Sequence, residues 1–316
     1  GTVALNKLSQ SCPGLSTAVG FALFAEAGLP VPRVRYRRLF INGGYYHYTQ
    51  EIEGPDEGMM ERYHDAQAAS GSSAPLEPGA GHLFKAAGCN CDEGPFGWAD
   101  GRVLEPHCGY SKEERYAATY DRKTHGWAGP EELRALIEGH ADVRATGDEE
   151  ALRDWLAAHF ALDEVLSYLA VINWAVPFDD IFQNHYLYQR RSDGRWLFAP
   201  WDLDLDFGGW KGADASIYIG AQGDPDNRAG WWNLFKDSFL VAYRPEFEAR
   251  LRALNGTVLA PPAVEALVLG VQAQWSLAEA QAAPAGLACD WEAGADAFVR
   301  FAQERYAVVN EALPTP

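Results

Sequence analysis

Apolar residues at helical spacing open the readable part of the chain. Leu15, Val19, Leu23 and Phe24 share one helix face, and Gly28-Leu29-Pro30 ends the run. Beyond it, Val34 and Tyr36, then Leu39 and Ile41, flank Arg37-Arg38 in a strand-like pattern with a break. Asn42-Gly43 predicts a tight turn, and residues 45–53 the returning strand. Residues 55–63 begin a short helix. Residues 66–81, mostly Ala, Ser, Gly and Pro, read as a flexible surface loop, and 82–85 as a short strand. The stretch 88–109 is rich in Gly and Cys and has little periodicity.

Helices dominate from residue 130. Residues 131–138, 149–160 and 162–175 each carry an apolar face, the last apolar nearly all round and so expected to be buried. Residues 185–191 and 196–201 then read as a second hairpin around Asp193-Gly194. A helical tail over 231–312 is broken between Asn255 and Pro262. No internal repeat is visible. This order predicts an α+β fold with two lobes: a small mixed N-terminal lobe over 1–88, and a mostly helical C-terminal lobe over 89–316 that carries the second hairpin.

Composition narrows the choice of partners. The chain is 47% hydrophobic with 11 Trp, which excludes disorder and allows a large core. A net charge of −18 repels phosphate backbones, so no nucleic-acid partner is expected. No run approaches the roughly 18 apolar residues of a membrane span, so no transmembrane segment is expected. The opening Gly1-Thr2-Val3 carries no signal core, as in the mature part of an exported protein. The cysteines are Cys12, Cys89, Cys91, Cys108 and Cys289. Their odd number suggests up to two disulfides with one thiol left over, in a secreted or cell-envelope setting. Cys89 and Cys91 with His107-Cys108 would offer a zinc site instead, at a spacing shorter than such sites use.

Candidate chemistry concentrates in two acidic runs. Phe178-Asp179-Asp180-Ile181-Phe182-Gln183-Asn184 precedes the second hairpin, and Trp201-Asp202-Leu203-Asp204-Leu205-Asp206-Phe207-Gly208 follows it. A two-residue turn at Asp193-Gly194 would set His185 opposite Asp202 and Asn184 opposite Leu203, so the runs emerge at one end of the hairpin. Strand alternation would then keep Asp202, Asp204 and Asp206 on one face, with Leu203 and Leu205 buried behind. Like charges so arranged call for a hard divalent cation, and carboxylates with an Asn carbonyl are the oxygen donors that Mg²⁺ or Ca²⁺ takes. Asp179, with Asp180 in register as an alternative, would accept the proton of an attacking hydroxyl. The order base, Asn, hairpin, metal Asp is the layout of protein kinases. A structural calcium loop or a solvated acidic edge is the plainer reading, but Trp201, Leu203, Leu205 and Phe207 make the run half apolar. No Gly-x-Ser-x-Gly turn supports a hydrolase, and His159 reads as a packed helix residue.

These residues also carry a family resemblance. Asn184-His185-Tyr186-Leu187-Tyr188, Pro200-Trp201-Asp202-Leu203-Asp204 and Phe207-Gly208 are similar to the signature of the spore-coat CotH kinase family. The front helix, the Asn42-Gly43 hairpin with Glu53, Leu83-Phe84-Lys85 and Tyr120-Asp121-Arg122-Lys123 resemble further parts of its pattern. Coverage is roughly residues 3–210, without the helical tail. The resemblance implies a protein-kinase-like fold, ATP with Mg²⁺ (Mn²⁺ or Ca²⁺ as alternatives), and phosphate transfer to Ser or Thr of secreted or envelope proteins. By position, Asp179 resembles the catalytic Asp. Asn184 and Asp202 resemble the metal ligands, with Asp204 close by and Asp206 a further candidate.

Nothing like the family's Arg-Gly-Asn-Ser-Ser segment and lysine pair precedes Thr2, so either the chain is a fragment or the front lobe lacks that strand. Lys85 is therefore the expected phosphate-binding cation, with Lys7 behind it. Glu53 is its expected ion-pair partner and Glu51 the competitor. A nucleotide-binding pseudokinase acting in envelope assembly, an AMP transferase on the same fold and a calcium-stabilised non-catalytic module remain alternatives.

Overall fold

The computed structural model describes residues 2–6, 14–71, 81–87, 109–178, 183–227, 232–283 and 290–313. In chain order they form β1 (Val3–Asn6), α1 (Leu15–Glu26), β2 (Val34–Ile41), β3 (Gly44–Glu53), α2 (Glu57–Ala69), β4 (His82–Ala86), α3 (Lys112–Thr119), β5 (Tyr120–Arg122), α4 (Glu131–Ala145), α5 (Glu149–His159), α6 (Leu162–Ala175), β6 (His185–Gln189) and β7 (Trp196–Pro200). The tail adds α7 (Leu234–Ala242), α8 (Arg244–Asn255), α9 (Pro261–Gln272), α10 (Leu277–Gln281) and α11 (Trp291–Ala312). The result is a mixed α+β chain with two small sheets.

Both sheets are antiparallel. The first has three strands in the order β1-β3-β2, the second four in the order β5-β4-β6-β7. In the first, Asn42 and Gly43 sit at φ 51° and 81°, so the turn matches the strand twist, and Ile41 pairs directly with Gly44. A register shift between Leu39 and Phe40 is the break beside Arg37-Arg38. Tyr36 and Tyr48 bury the inner face of this sheet against Trp275 and Trp291 of the tail.

One large core joins α1, α6, α8, α9 and α11. α6 is buried from Val165 to Ala175, as its continuous apolar run requires. A second, smaller cluster packs Met59, Met60 and Tyr63 of α2 on Leu83, Tyr186, Tyr188, Leu197 and Ala199 of the four-stranded sheet. The lobe boundary expected at residue 88 falls just past β4, and β4 is hydrogen-bonded to β5 and β6 from beyond it.

Several expectations change in detail. The helix expected at 55–63 runs on to Ala69, so the start of the expected loop is helical. The second hairpin closes in a different register: His185 pairs with Pro200 and Gln189 with Trp196. Its connection is the four residues 191–194, closed by Arg190 N–H to Arg195 O at 2.8 Å. Asp193 accounts for the wider loop. Its carboxylate takes Arg190 Nε and the Arg195 N–H, both at 3.1 Å, and Gly194 alone is left-handed, at φ 71°. A type I′ two-residue turn, the one Asp-Gly favours, would need both central residues there. Cys12, Cys89, Cys91, His107, Cys108, Cys289 and Lys7 lie outside the described residues.

Candidate active site

Three backbone ends converge where the second sheet stops. Asn184 N–H donates to Ala86 O at 3.2 Å, and Trp201 N–H donates to Asn184 O at 3.1 Å. The end of β4, the start of β6 and the exit of β7 are thereby tied to one residue. Asn184 is nearly buried and left-handed at φ 57°, a conformation that Asn tolerates better than most residues.

The run after β7 does not continue as a strand. Asp202 turns left-handed at φ 56° and residues 204–209 form consecutive turns. The expected alternation of Asp202, Asp204 and Asp206 on one strand face is therefore corrected. Asp202 is exposed, Asp204 half-buried, and Asp206 is buried with only 3% of its surface exposed. Leu203 is buried as expected; Leu205 is half-buried. The inward turn has a clear cause. Asp206 Oδ1 accepts the N–H of Phe178 at 3.0 Å, while Phe207 N–H donates to Ala175 O at 2.7 Å. Trp210 Nε1 reaches the carbonyls of Val176 and Pro177, each at 3.1 Å, and its ring packs on Phe178 at 5.3 Å.

Both flanks of the first acidic run are thus fastened to the second: Phe178 through Asp206, and Asn184 through Trp201. Asp179 and Asp180 lie outside the described residues. Backbone strain gathers at the same place. Val176, Asn184, Asp202 and Phe207 have φ between 55° and 59°, which costs non-glycine residues of order 1–3 kcal/mol each. For the β-branched Val176 this is a genuine outlier.

Lys85 reaches this end of the sheet from β4. It lies between Asp121 of β5 and Tyr186 of β6 in the strand register, and its Nζ stands 5.7 Å from the Trp201 ring. The Trp201 ring also meets Tyr186 edge-on at 5.7 Å. The Tyr186 hydroxyl is raised well above its ordinary pKa, mainly by burial and further by the charges of Asp121 and Asp202. Lys85 therefore stands in an acidic neighbourhood that includes Asp202.

Glu53 is placed elsewhere. Both its oxygens are taken by Arg62 of α2, and Oε2 also accepts the Arg33 N–H at 3.0 Å. The expected Glu53–Lys85 ion pair is not formed, because an arginine one helix away makes a two-pronged contact that a lysine cannot match. The competitor Glu51 pairs with Arg37 on the adjoining strand.

Among the described residues no three His, Cys, Asp or Glu side chains group as a metal site on their own. The donors that remain suit Mg²⁺, which takes one or two protein carboxylates and completes its shell with phosphate and water oxygens. Asp202 could supply one such carboxylate and Asn184, whose backbone carbonyl accepts the Trp201 N–H, an amide oxygen beside it.

Sequence reasoning gave no role to Tyr186, Asp121, Gly20 or Arg305. Asp121 belongs to a three-residue edge strand too short to show a period. Arg305 had a readable signal: it interrupts the apolar face Phe298, Phe301, Ala302 and Val309 of α11.

No curated protein matches the chain. A family model described as CotH kinase protein matches residues 2–309, which extends the likeness through the helical tail that the signature residues left out. With both sheets, both acidic runs and α11 as far as residue 309 inside that match, the chain belongs to the CotH kinase family.

Proposed function

We propose that the protein is an ATP- and Mg²⁺-dependent phosphotransferase acting on Ser or Thr hydroxyls of secreted or envelope proteins. One observation carries the reading: two acidic runs distant in sequence are fastened together through Asp206–Phe178 and Trp201–Asn184. Bound Mg²⁺·ATP would supply the transferable γ-phosphoryl group and neutralise its charge. Asp179, or Asp180 in its place, orients the acceptor hydroxyl and takes its proton. Asn184, Asp202 and Asp204 hold the metal, and Asp206 fixes the backbone entering Asp179. Lys85 offsets phosphate charge from the β4 side.

A nucleotide-binding pseudokinase is the second reading, favoured by the capture of Glu53 by Arg62, which leaves Lys85 set by other groups. Thermal shift with ATP plus Mg²⁺, against Ca²⁺ alone, separates both readings from a calcium-stabilised module. Label from γ-phosphate appearing on acceptor protein, and absent in Asp179→Ala, supports transfer. Label retained only from the α-phosphate supports AMP transfer instead. Nucleotide binding without any label transfer supports the pseudokinase.

A further inference from the structure

Arg305 lies on α11 and is fully buried. Its guanidinium donates to five backbone carbonyls. Nε bonds Trp174 O at 3.1 Å, Nη1 bonds Ala213 O at 2.9 Å and also Ala215 O, and Nη2 bonds Asn173 O at 2.6 Å and Ser216 O at 3.2 Å. None of the five acceptors is a carboxylate. Burial draws the pKa down to about 10 against the opposing pull of Asp226 and Asp214, so the group stays charged at neutral pH. A buried guanidinium is costly unless its N–H groups are used, and here one planar fork satisfies two separate segments.

Those segments flank the two acidic runs, one just before the first and one just after the second. Asn173 and Trp174 belong to the last turn of α6, whose C-terminal carbonyls form the negative end of the helix dipole, Asn173 O also taking the Val176 N–H at 3.4 Å. Left-handed Val176 and then Phe178 follow directly. The 213–216 segment continues from the Asp202–Asp206 run and is braced on its far side, where Ser216 bonds Asp224 and Asp226.

We infer that Arg305 is a positioning residue for the phosphotransfer site: it fixes the segment entering Asp179 against the segment leaving Asp206, so that α11 sets the register of the two acidic runs. The catalytic consequence rests on the proposed function; the geometry does not. Lysine cannot replace the fork, because three donors on one nitrogen do not span carbonyls on two segments.

The full chain is compared with Arg305→Lys and Arg305→Met by amide hydrogen exchange. Phe178 N–H, bonded to Asp206, and Phe207 N–H, bonded to Ala175, report on the register. In Arg305→Lys, exchange at these amides is expected to rise about tenfold or more while residues 165–172 keep native protection. The kcat for γ-phosphate transfer is expected to fall about tenfold or more, with the KM for ATP within about twofold. Arg305→Met is expected to give the same local pattern more strongly. Native protection of Phe178 and Phe207 in the folded lysine variant overturns the inference, as does an even rise throughout α6. A wild-type protein that transfers no phosphate defeats the proposed function, and the exchange comparison then decides the role of Arg305 by itself.

Discussion

Asp206 and Phe178, separated by 28 positions, are joined by a hydrogen bond from the Phe178 N–H to Asp206 Oδ1 at 3.0 Å. Asp206→Ala leaves that part-buried amide without its acceptor, a loss of about 1–3 kcal/mol. Urea unfolding should show the midpoint falling with an unchanged slope. Asp206→Asn retains an acceptor oxygen and should stay within about 1 kcal/mol of wild type. Phosphate transfer is expected to fall in Asp206→Ala, which releases the backbone at Phe178, and to fall less in Asp206→Asn, which keeps that bond.

Asp202 and Lys85 can be tested without disturbing the fold. Asp202 is exposed and left-handed, and Asn tolerates that backbone, so Asp202→Asn should melt within about 2 °C of wild type. It should nevertheless lose the thermal shift given by ATP plus Mg²⁺. Lys85→Ala should weaken ATP binding about tenfold in titration calorimetry. Glu53→Gln should leave it unchanged, since Glu53 serves Arg62, and should cost no more than about 1 kcal/mol of stability.

Gly20 points from α1 into the same region. A Cβ there would come within 2.7 Å of Leu203 Cδ1 and 3.0 Å of the Phe207 ring. Gly→Ala inside a helix ordinarily gains up to about 1 kcal/mol. Here overpacking, at about 1–3 kcal/mol, outweighs the gain. Gly20→Ala should therefore lower the melting temperature and slow transfer together, whereas Gly270→Ala, with open space around its Cβ, should raise the melting temperature.

His140 gives the fold a dependence on pH. It is fully buried, its Nε2 lies 2.8 Å from Ser238 Oγ and its ring stacks on Phe235. Burial, helped by nearby Arg144, pushes its pKa from 6.5 down to about 3. Above pH 6.5 the residue is neutral folded or unfolded and contributes nothing to the pH dependence. Between 6.5 and about 3 the unfolded chain binds a proton that the folded chain refuses. Stability therefore falls with pH by up to about 1.4 kcal/mol per unit in that window. His140→Gln should flatten this limb of a stability profile measured by urea titration.

Local signals were the most legible in the sequence. Leu15 to Phe24, the Asn42-Gly43 turn and the all-apolar 162–175 run specify their elements through short-range periodicity and turn chemistry, and each forms where expected. The second hairpin was legible as an element and illegible as a register, because the Asp193 carboxylate, not the Asp-Gly dipeptide, decides how the loop closes. The adjacency of the acidic runs was also visible, since a hairpin must bring its ends together. The inward turn of Asp206 was not, because it depends on where α6 ends in space. The partner of Glu53 was illegible for a similar reason: Arg62 approaches it from a helix packed on the sheet, a relationship that spacing along β3 does not encode.

The Arg305 contacts close chain loops of 131 and 92 positions, to Trp174 and Ala213. Contacts so remote in sequence form late, after the local hairpins and helices have collapsed. During synthesis both acidic runs leave the ribosome well before the guanidinium that braces them. Docking of α11 then follows the emergence of both acidic runs, and a chain cut before α11 would hold its local hairpins and helices while its two acidic runs stayed unbraced by Arg305.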